Sequence, residues 1–304
     1  MPSLRIAGSI LLPAVLLCFP ACGSSDAPPA PAADAAWEAV VAGERAFADA
    51  ARESGVRGAF LRFIHEDGIL FRPGPVPGVA ALEAQAESER ALRWTPELAG
   101  ISDDGVLGYT TGPYQAAGAD GKVTGTGRYL TLWRLDGGDE YRFVLDAGVP
   151  GPGPQPFPDT LPVRRARVMA TRPVSGDRSL EAADSALRAL YRSPGAGTLG
   201  GLAFPAGLRV LRPGREPERG PGAFLAAARR ASEAGDVDWQ VAGSATSPDG
   251  SLGYLYGMAV LASEEAGGGS PGDGPARGPF VRVWARGPEG AWQLLVDLLA
   301  LPGT

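Results

Sequence analysis

Residues able to do chemistry are few in this chain and unevenly placed. It carries one histidine, His65, one lysine, Lys122, and two cysteines, Cys18 and Cys22. A single lysine leaves one candidate for Schiff-base chemistry, and a single histidine leaves no imidazole-rich metal site, so a zinc centre would have to be built from carboxylates alone. Both cysteines fall within the first 22 residues, which denies the rest of the chain a disulfide framework and a thiol nucleophile. Gly121-Lys122-Val123 lacks the upstream glycine spacing and the following Ser or Thr of a phosphate loop, and no nucleophile elbow is present. What remains is carboxylates, tyrosines and tryptophans: His65 with Asp67, Asp146 and Asp297 near the ends of apolar runs, and the aromatic residues Trp94, Tyr109, Trp133, Trp239, Tyr254 and Trp284.

Composition sets the frame for these groups. The 304 residues are 44% apolar and 20% charged, which describes a globular chain with room for about two domains. A net charge of −6 gives phosphate backbones nothing general to bind, so nucleic acid is excluded as a partner class. The first 22 residues read as an export signal, with one positive charge at Arg5, an apolar run from Ile6 to Phe19, and Pro20-Ala21-Cys22 at its end. A small residue directly before a cysteine resembles the bacterial lipobox, in which the cysteine is acylated; Cys22 after Ala21 fits, Cys18 after the bulky Leu17 does not, and Phe19 departs from the usual Leu. The alternative is an ordinary secretory signal cut near Ala21. Residues 23–36, rich in Pro, Ala and Ser without apolar periodicity, form a tether. The expectation is a membrane-anchored, extracytoplasmic lipoprotein of the cell envelope.

An internal repeat organises the remainder. Ile69 to Gly74 matches Arg209 to Gly214 at a shift of 140 residues, which also lays Glu44 on Asp184 and Phe47 on Leu187. Trp94 matches Trp239, and Gly105 to Tyr109 matches Gly250 to Tyr254, at a shift of 145; Trp133, Tyr141 and Asp146 match Trp284, Trp292 and Asp297 at 151. The domains are therefore 37–150 and 177–304, joined by a Pro- and Arg-rich linker at 151–176. Each copy begins with an amphipathic helix (Trp37 to Glu53 in the first) and continues through a short second helix into strands. Alternation places Tyr129, Thr131 and Trp133 opposite Leu130, Leu132 and Arg134, and Tyr141, Phe143 and Leu145 opposite Arg142, Val144 and Asp146. Asp136-Gly137-Gly138 turns between these two strands. Successive hairpins after helices predict an α+β fold with a curved antiparallel sheet in each copy.

Glu44-Arg45-Ala46-Phe47, Leu70 to Gly74, Leu107 to Gly112, Tyr129 to Trp133 and Phe143 to Asp146 together resemble the SnoaL-like or nuclear transport factor 2-like superfamily. That resemblance implies cone-shaped domains in which helices close one side of a bent sheet over a pocket. The superfamily hosts isomerases, polyketide cyclases, dehydratases and transport adaptors, so the fold leaves the function open. It also implies that the two copies pack sheet to sheet as an intramolecular version of a homodimer, making a monomer sufficient.

Two kinds of site follow. A retained acid at Asp146 and Asp297 would become a base if buried, or would cap a turn or pair with Arg72 or Arg212. Trp94, Tyr109, Trp133, Trp239, Tyr254 and Trp284 would line a pocket for a flat apolar ligand, or serve as plain core. His65 with Asp67 would be a base and its orienter, or part of a solvated helix-to-strand turn; its charged neighbours favour the turn, and the second copy has Pro205-Ala206-Gly207 there. Neither copy shows an acid/base set that the other retains, so the leading expectation is a noncatalytic module. It would bind a small apolar molecule or an envelope protein without a cofactor. The alternative is a cofactor-free isomerase, dehydratase or cyclase working in the first domain through His65, Asp67, Tyr109 or Asp146.

Overall fold

A computed structural model describes residues 33–86, 88, 90–154, 156–158, 160–167, 179–194, 202–262 and 275–303. Cys22, most of the tether, the glycine-rich stretch at 195–201 and most of the loop at 264–277 lie outside the described residues. Among the described residues no helix is long and apolar enough to cross a membrane.

The first half runs α1 (Ala33–Ser54), α2 (Val56–Phe63), β1 (Ile64–Phe71), β2 (Pro75–Pro77), α3 (Gly78–Glu83), β3 (Ala91–Trp94), β4 (Leu98–Ile101), β5 (Leu107–Ala117), β6 (Val123–Asp136), β7 (Glu140–Pro150) and β8 (Arg164–Arg165). The second runs α4 (Leu180–Arg192), β9 (Arg209–Leu211), β10 (Glu218–Arg219), α5 (Gly220–Ala234), β11 (Asp236–Thr246), β12 (Leu252–Ala262), β13 (Arg277–Arg286) and β14 (Trp292–Leu299). Strand order is β2-β1-β7-β6-β5-β4-β8 in one sheet, with β3 also on β5, and β10-β9-β14-β13-β12-β11 in the other. The long strands pair antiparallel, while β1 on β7 and β9 on β14 are parallel. The architecture is thus the expected α+β, helices against a curved sheet, twice over.

Helix α1 is already helical at Ala33, the first described residue and four before the expected Trp37, and Arg52 in its last turn is favourable to the helix dipole. Its buried stripe of Ala36, Val40, Val41, Phe47, Ala48 and Ala51 covers the concave face of the first sheet. One acid, Glu44, lies in that stripe and is fully buried.

Simple alternation fails in the last strand of each half. Leu132 pairs with Leu145 but Trp133 with Phe143, leaving Val144 as an extra residue; Val283 pairs with Val296 and Trp284 with Leu294, leaving Leu295. Such a bulge shifts every later side chain to the other face. Leu145 therefore joins the outer cluster, and Asp146, expected opposite Phe143, comes to the concave side beside Thr131.

The outer faces of the two sheets share one apolar cluster. Leu130, Leu132 and Leu145 pack with Val281, Val283 and Val296, all fully buried; each contributes on the order of 1.5–3 kcal/mol by leaving water. At the edge the contact is reciprocal: Asp104 N–H donates to Asp249 Oδ2 at 2.9 Å, and Asp249 N–H donates to Asp104 Oδ2 at 3.0 Å. These residues are related by the 145-residue shift, so the interface has the two-fold character of an isologous dimer within one chain. Glu97 of the first half adds polar contacts at the seam, accepting from Arg128 at 3.0 Å and from Arg219 of the second half at 3.0 Å.

The proline-rich segment is more than a connector. Arg164 and Arg165 add β8 in parallel to β4, Arg165 pairs with Asp34, and Arg93 stacks on Phe157 at 4.6 Å.

Candidate functional site

The concave side of the first half holds a cavity of about 470 Å3 whose walls include Phe47, Phe60, Leu92, Trp94, Tyr129 and Asp146, with Pro279 and Ala300 of the second half also lining it. Phe47 reaches it from α1 and Phe60 from α2; Trp94 is the last residue of β3, paired with Tyr114, while Tyr129 and Asp146 come from neighbouring β6 and β7. The aromatic wall is continuous, with Phe47 centred 4.7 Å from Trp94 and 4.8 Å from Phe60. Arg57 and Arg72 line the mouth. Arg57 Nε donates to Leu82 O at 2.8 Å, and Arg72, exposed, donates to Phe71 O at 2.8 Å.

Two carboxyls define the electrostatics. Glu44 lies behind Trp94 and accepts from Trp94 Nε1 at 2.5 Å, from Trp133 Nε1 at 3.1 Å and from the Thr110 hydroxyl. Burial nevertheless pushes its pKa from 4.5 up to about 7; the hydrogen bonds from Thr110, Trp94 and Trp133 oppose the rise, and the charge of Asp146 adds to it. Asp146, half-buried in the cavity wall, accepts from Thr131 Oγ1 at 2.9 Å. Burial raises its pKa from 3.8 to about 7 against the Thr131 hydrogen bond and the Arg72 charge. The Tyr129 hydroxyl is buried beside Thr110, and burial together with the charge of Glu44 raises its pKa well above the ordinary phenol range.

The matching space in the second half is packed. Phe204 stacks on Phe224 of α5 at 4.9 Å, and Phe224 meets Tyr191 edge-on at 5.5 Å. The fully buried Arg282 occupies the centre, donating to Asp184 Oδ1 at 2.5 Å and Asp297 Oδ1 at 3.2 Å, with its guanidinium 4.2 Å from the Trp239 ring centre. Arg212, also buried, reaches Asp297 Oδ2 at 2.6 Å, and the Tyr191 hydroxyl donates to the same oxygen at 2.5 Å. Burial works against the charge of Asp297, but Arg212 and Arg282 outweigh it and hold its pKa below 3.8. Helix α5, with 15 residues against six in α3, supplies the filling side chains.

Of the residues singled out by sequence, Trp94 and Asp146 meet at the cavity. Tyr109 and Tyr254 do not line a pocket; they sit on the outer faces in the cluster between the sheets, because alternation puts Thr110, not Tyr109, on the concave side. Trp133 is fully buried beneath Glu44, and Trp284 is core. Trp239, part-exposed, stacks on Arg282, and the fully buried Asp297 pairs with Arg212. His65 lies within β1, not in a turn ahead of it, and is buried with Nε2 2.7 Å from Arg134 Nη2. The exposed Asp67 donates its N–H to His65 Nδ1 at 3.0 Å, and its carboxylate meets Arg134 at 3.4 Å. His65, Glu66 and Asp67 come close enough to share an ion, but Arg134 brings its own cation to that place, and none of the three lines the cavity.

Glu44, Thr131, Tyr129 and Arg282 are the participants that residue patterns do not single out. A signal exists for Glu44 and its counterpart Asp184: each is an acid in the apolar stripe of an otherwise amphipathic helix, at the spacing of Val40, Val41 and Phe47. For Thr131 against Arg282 the signal is their mismatch at the 151-residue shift, next to matched tryptophans.

A second hollow, about 530 Å3, runs between the proline-rich segment and β5 and β6; among its charged residues Glu97 pairs with Arg128 at 3.0 Å and with Arg164, and Arg128 also meets Glu216 at 3.2 Å.

No protein-family model and no curated protein matches the chain. Among solved structures it is similar to a nuclear transport factor 2-like protein of unknown function from Shewanella oneidensis (15% identity, 36% of this chain and 96% of that one, TM-score 0.28). It is also similar to a Δ5-3-ketosteroid isomerase from a Mycobacterium species (21%, 36% and 90%, TM-score 0.28). A third is a polyketide cyclase, so described with reservation in its own name, from Xanthomonas campestris (13%, 37% and 90%, TM-score 0.27). Each likeness spans a little over a third of this chain, about the length of one of its two halves.

Proposed function

We propose that the chain is a small-molecule-binding protein whose site is the cone of its first half, the second half being a filled structural partner that covers the first sheet's outer face. One observation carries this reading. Two halves built alike differ in their interiors: one is packed with aromatic side chains around a neutralised acid, the other keeps a cavity of about 470 Å3 walled by aromatic residues with an acid in the wall. That volume and that mixture of an apolar wall with one polar anchor suit a small organic ligand. The reading includes export and anchoring through Cys22, and a monomer sufficient for function because the sheet that a homodimer would cover is covered internally.

A second reading is favoured by Asp146 itself. A carboxyl with a pKa of about 7 at a cavity is suited to take a proton from bound substrate, as a cofactor-free isomerase, dehydratase or cyclase requires. Native mass spectrometry of the chain purified from its own host, together with analysis of the released molecule, tests both. Binding predicts a retained ligand that is released unchanged and is lost in Leu92→Trp, which thickens the cavity wall. Turnover of that molecule, abolished in Asp146→Asn, would replace the binding reading with the enzymatic one. An empty chain that takes up no small molecule when offered a library would overturn both.

A further inference from the structure

The two halves of this chain supply a comparison that identifies the ligand's chemistry. In the second half, the walls around the guanidinium of Arg282 are Asp184, Asp297, Trp239, Phe280 and Tyr191, the last two with ring centres 4.8 and 5.5 Å away. The repeat places Glu44, Asp146, Trp94 and Tyr129 at the first four positions in the first half and the small Ala51 at the fifth. The strand registers agree, since Arg282 pairs with Asp297 as Thr131 pairs with Asp146, and Trp239 with Ala259 as Trp94 with Tyr114.

Four of the five walls are kept, the fifth is opened by Ala51, and the cation is gone. Thr131 stands where Arg282 would be and contributes only a hydroxyl to Asp146. The second cation is also drawn back: Arg212 and its counterpart Arg72 each donate to the carbonyl of the preceding residue, but Arg212 is buried and 2.6 Å from Asp297 Oδ2, whereas Arg72 is exposed. Among the described residues Asp146 therefore makes no ion pair of the kind that neutralises its twin, Arg72 acting on it through its charge alone, and it lines a cavity. A half-buried carboxyl facing an aromatic cavity favours a charge partner, and aromatic faces add to the attraction of an organic cation once water is excluded.

Resting on the cavity-binding reading, we infer that the first cone takes an organic cation, a guanidinium, amidinium or ammonium group, seated against Asp146 and over Trp94 and Tyr129 as Arg282 is seated in the second cone. Arg57 and Arg72 at the mouth then select against a second positive charge on the same ligand, so a cationic head on a neutral or apolar body fits best.

Three probes of one shape and different charge test this in the full chain by isothermal titration calorimetry: benzamidine, benzamide and benzoate. Benzamidine, cationic at pH 8, should bind about tenfold or more tightly than benzamide, and benzoate more weakly than either. Asp146→Asn should bring benzamidine down to the level of benzamide while leaving benzamide unchanged. Thr131→Arg, which installs the arrangement already present in the second half, should abolish benzamidine binding. A benzamidine affinity no greater than that of benzamide, or a preference that survives Asp146→Asn, overturns the inference. If benzamide or benzoate binds best and Leu92→Trp removes that binding, the cavity-binding reading stands without the cation. If none of the three binds at millimolar concentration, both fall.

Discussion

Replacing Glu44 by Gln isolates the cost of holding a carboxyl in the core of the first half. The carboxyl titrates near 4.5 when exposed and at about 7 in the fold. Between those values the folded state binds a proton that the unfolded state has lost, so stability falls as pH rises, by about 1.4 kcal/mol per unit, and levels off above the folded pKa. Over the whole interval the loss is about 3 kcal/mol. The introduced amide can direct its oxygen to Trp94 Nε1 and its nitrogen to Thr110 Oγ1, the arrangement the protonated acid also needs, since the other two partners of Glu44 are the Thr110 hydroxyl and the Trp133 indole. Glu44→Gln should therefore match the parent within about 1 kcal/mol at pH 5 and exceed it by about 2 kcal/mol at pH 8. Urea unfolding at pH 5, 6, 7 and 8, followed by tryptophan fluorescence, reads the two slopes. A residual slope from Asp146 remains in the variant, smaller because the neighbouring charge is gone. A variant that is equally destabilised at pH 5 and pH 8 would refute the reasoning, since it would mean that the three hydrogen bonds keep Glu44 ionised throughout.

Other outcomes follow from the same geometry. Arg282→Met removes hydrogen bonds to two fully buried acids, each of which keeps one arginine, Arg188 at 2.9 Å for Asp184 and Arg212 at 2.6 Å for Asp297; it should cost about 3 kcal/mol in chemical denaturation. Asp297 runs opposite to Glu44: its folded pKa is depressed, so its contribution is present above about pH 4 and is lost as pH falls further, placing the stability maximum of the parent between these limits, as acid and alkaline unfolding series would show. Gly112→Ala and Gly257→Ala would each place a Cβ 2.0 Å from a backbone oxygen, of Thr95 and of Gln240 respectively; both should lower the unfolding temperature by several degrees, whereas Gly137→Ala, with open space around it, should not. Leu132→Ala, in the shared cluster between the sheets, should cost about 2–5 kcal/mol and weaken both halves together, which limited proteolysis would detect as coupled cleavage.

Much of this molecule is legible in its residues, and the exceptions have identifiable causes. The repeat, the α+β order and the turns follow from short-range patterns, because helical and strand periodicities and the Gly-rich turns are local properties. Residue type alone misplaces Tyr109 because a strand residue's face depends on which neighbour the sheet meets; here the outer face is as apolar as the inner one, so hydrophobicity cannot tell them apart. The charged neighbours of His65 suggest a solvated turn, yet Glu66 and Asp67 reach solvent from a strand that buries His65 against Arg134.

Sequence alone determined that the chain repeats one α+β unit, that the part beyond residue 22 lacks the residues for thiol, imidazole-metal or phosphate-loop chemistry, and that both copies keep an acid near the end of the last strand. Tertiary structure alone decided what those acids do. A bulge of one residue, set by long-range strand register, turns both onto the concave face. There the partner is supplied by a residue 15 positions away on the adjacent strand: arginine at 282 neutralises Asp297, and threonine at 131 leaves Asp146 facing a cavity. The pKa of a buried carboxyl depends on distances of a few ångströms to charges and to water, and those distances exist only once the sheet has closed.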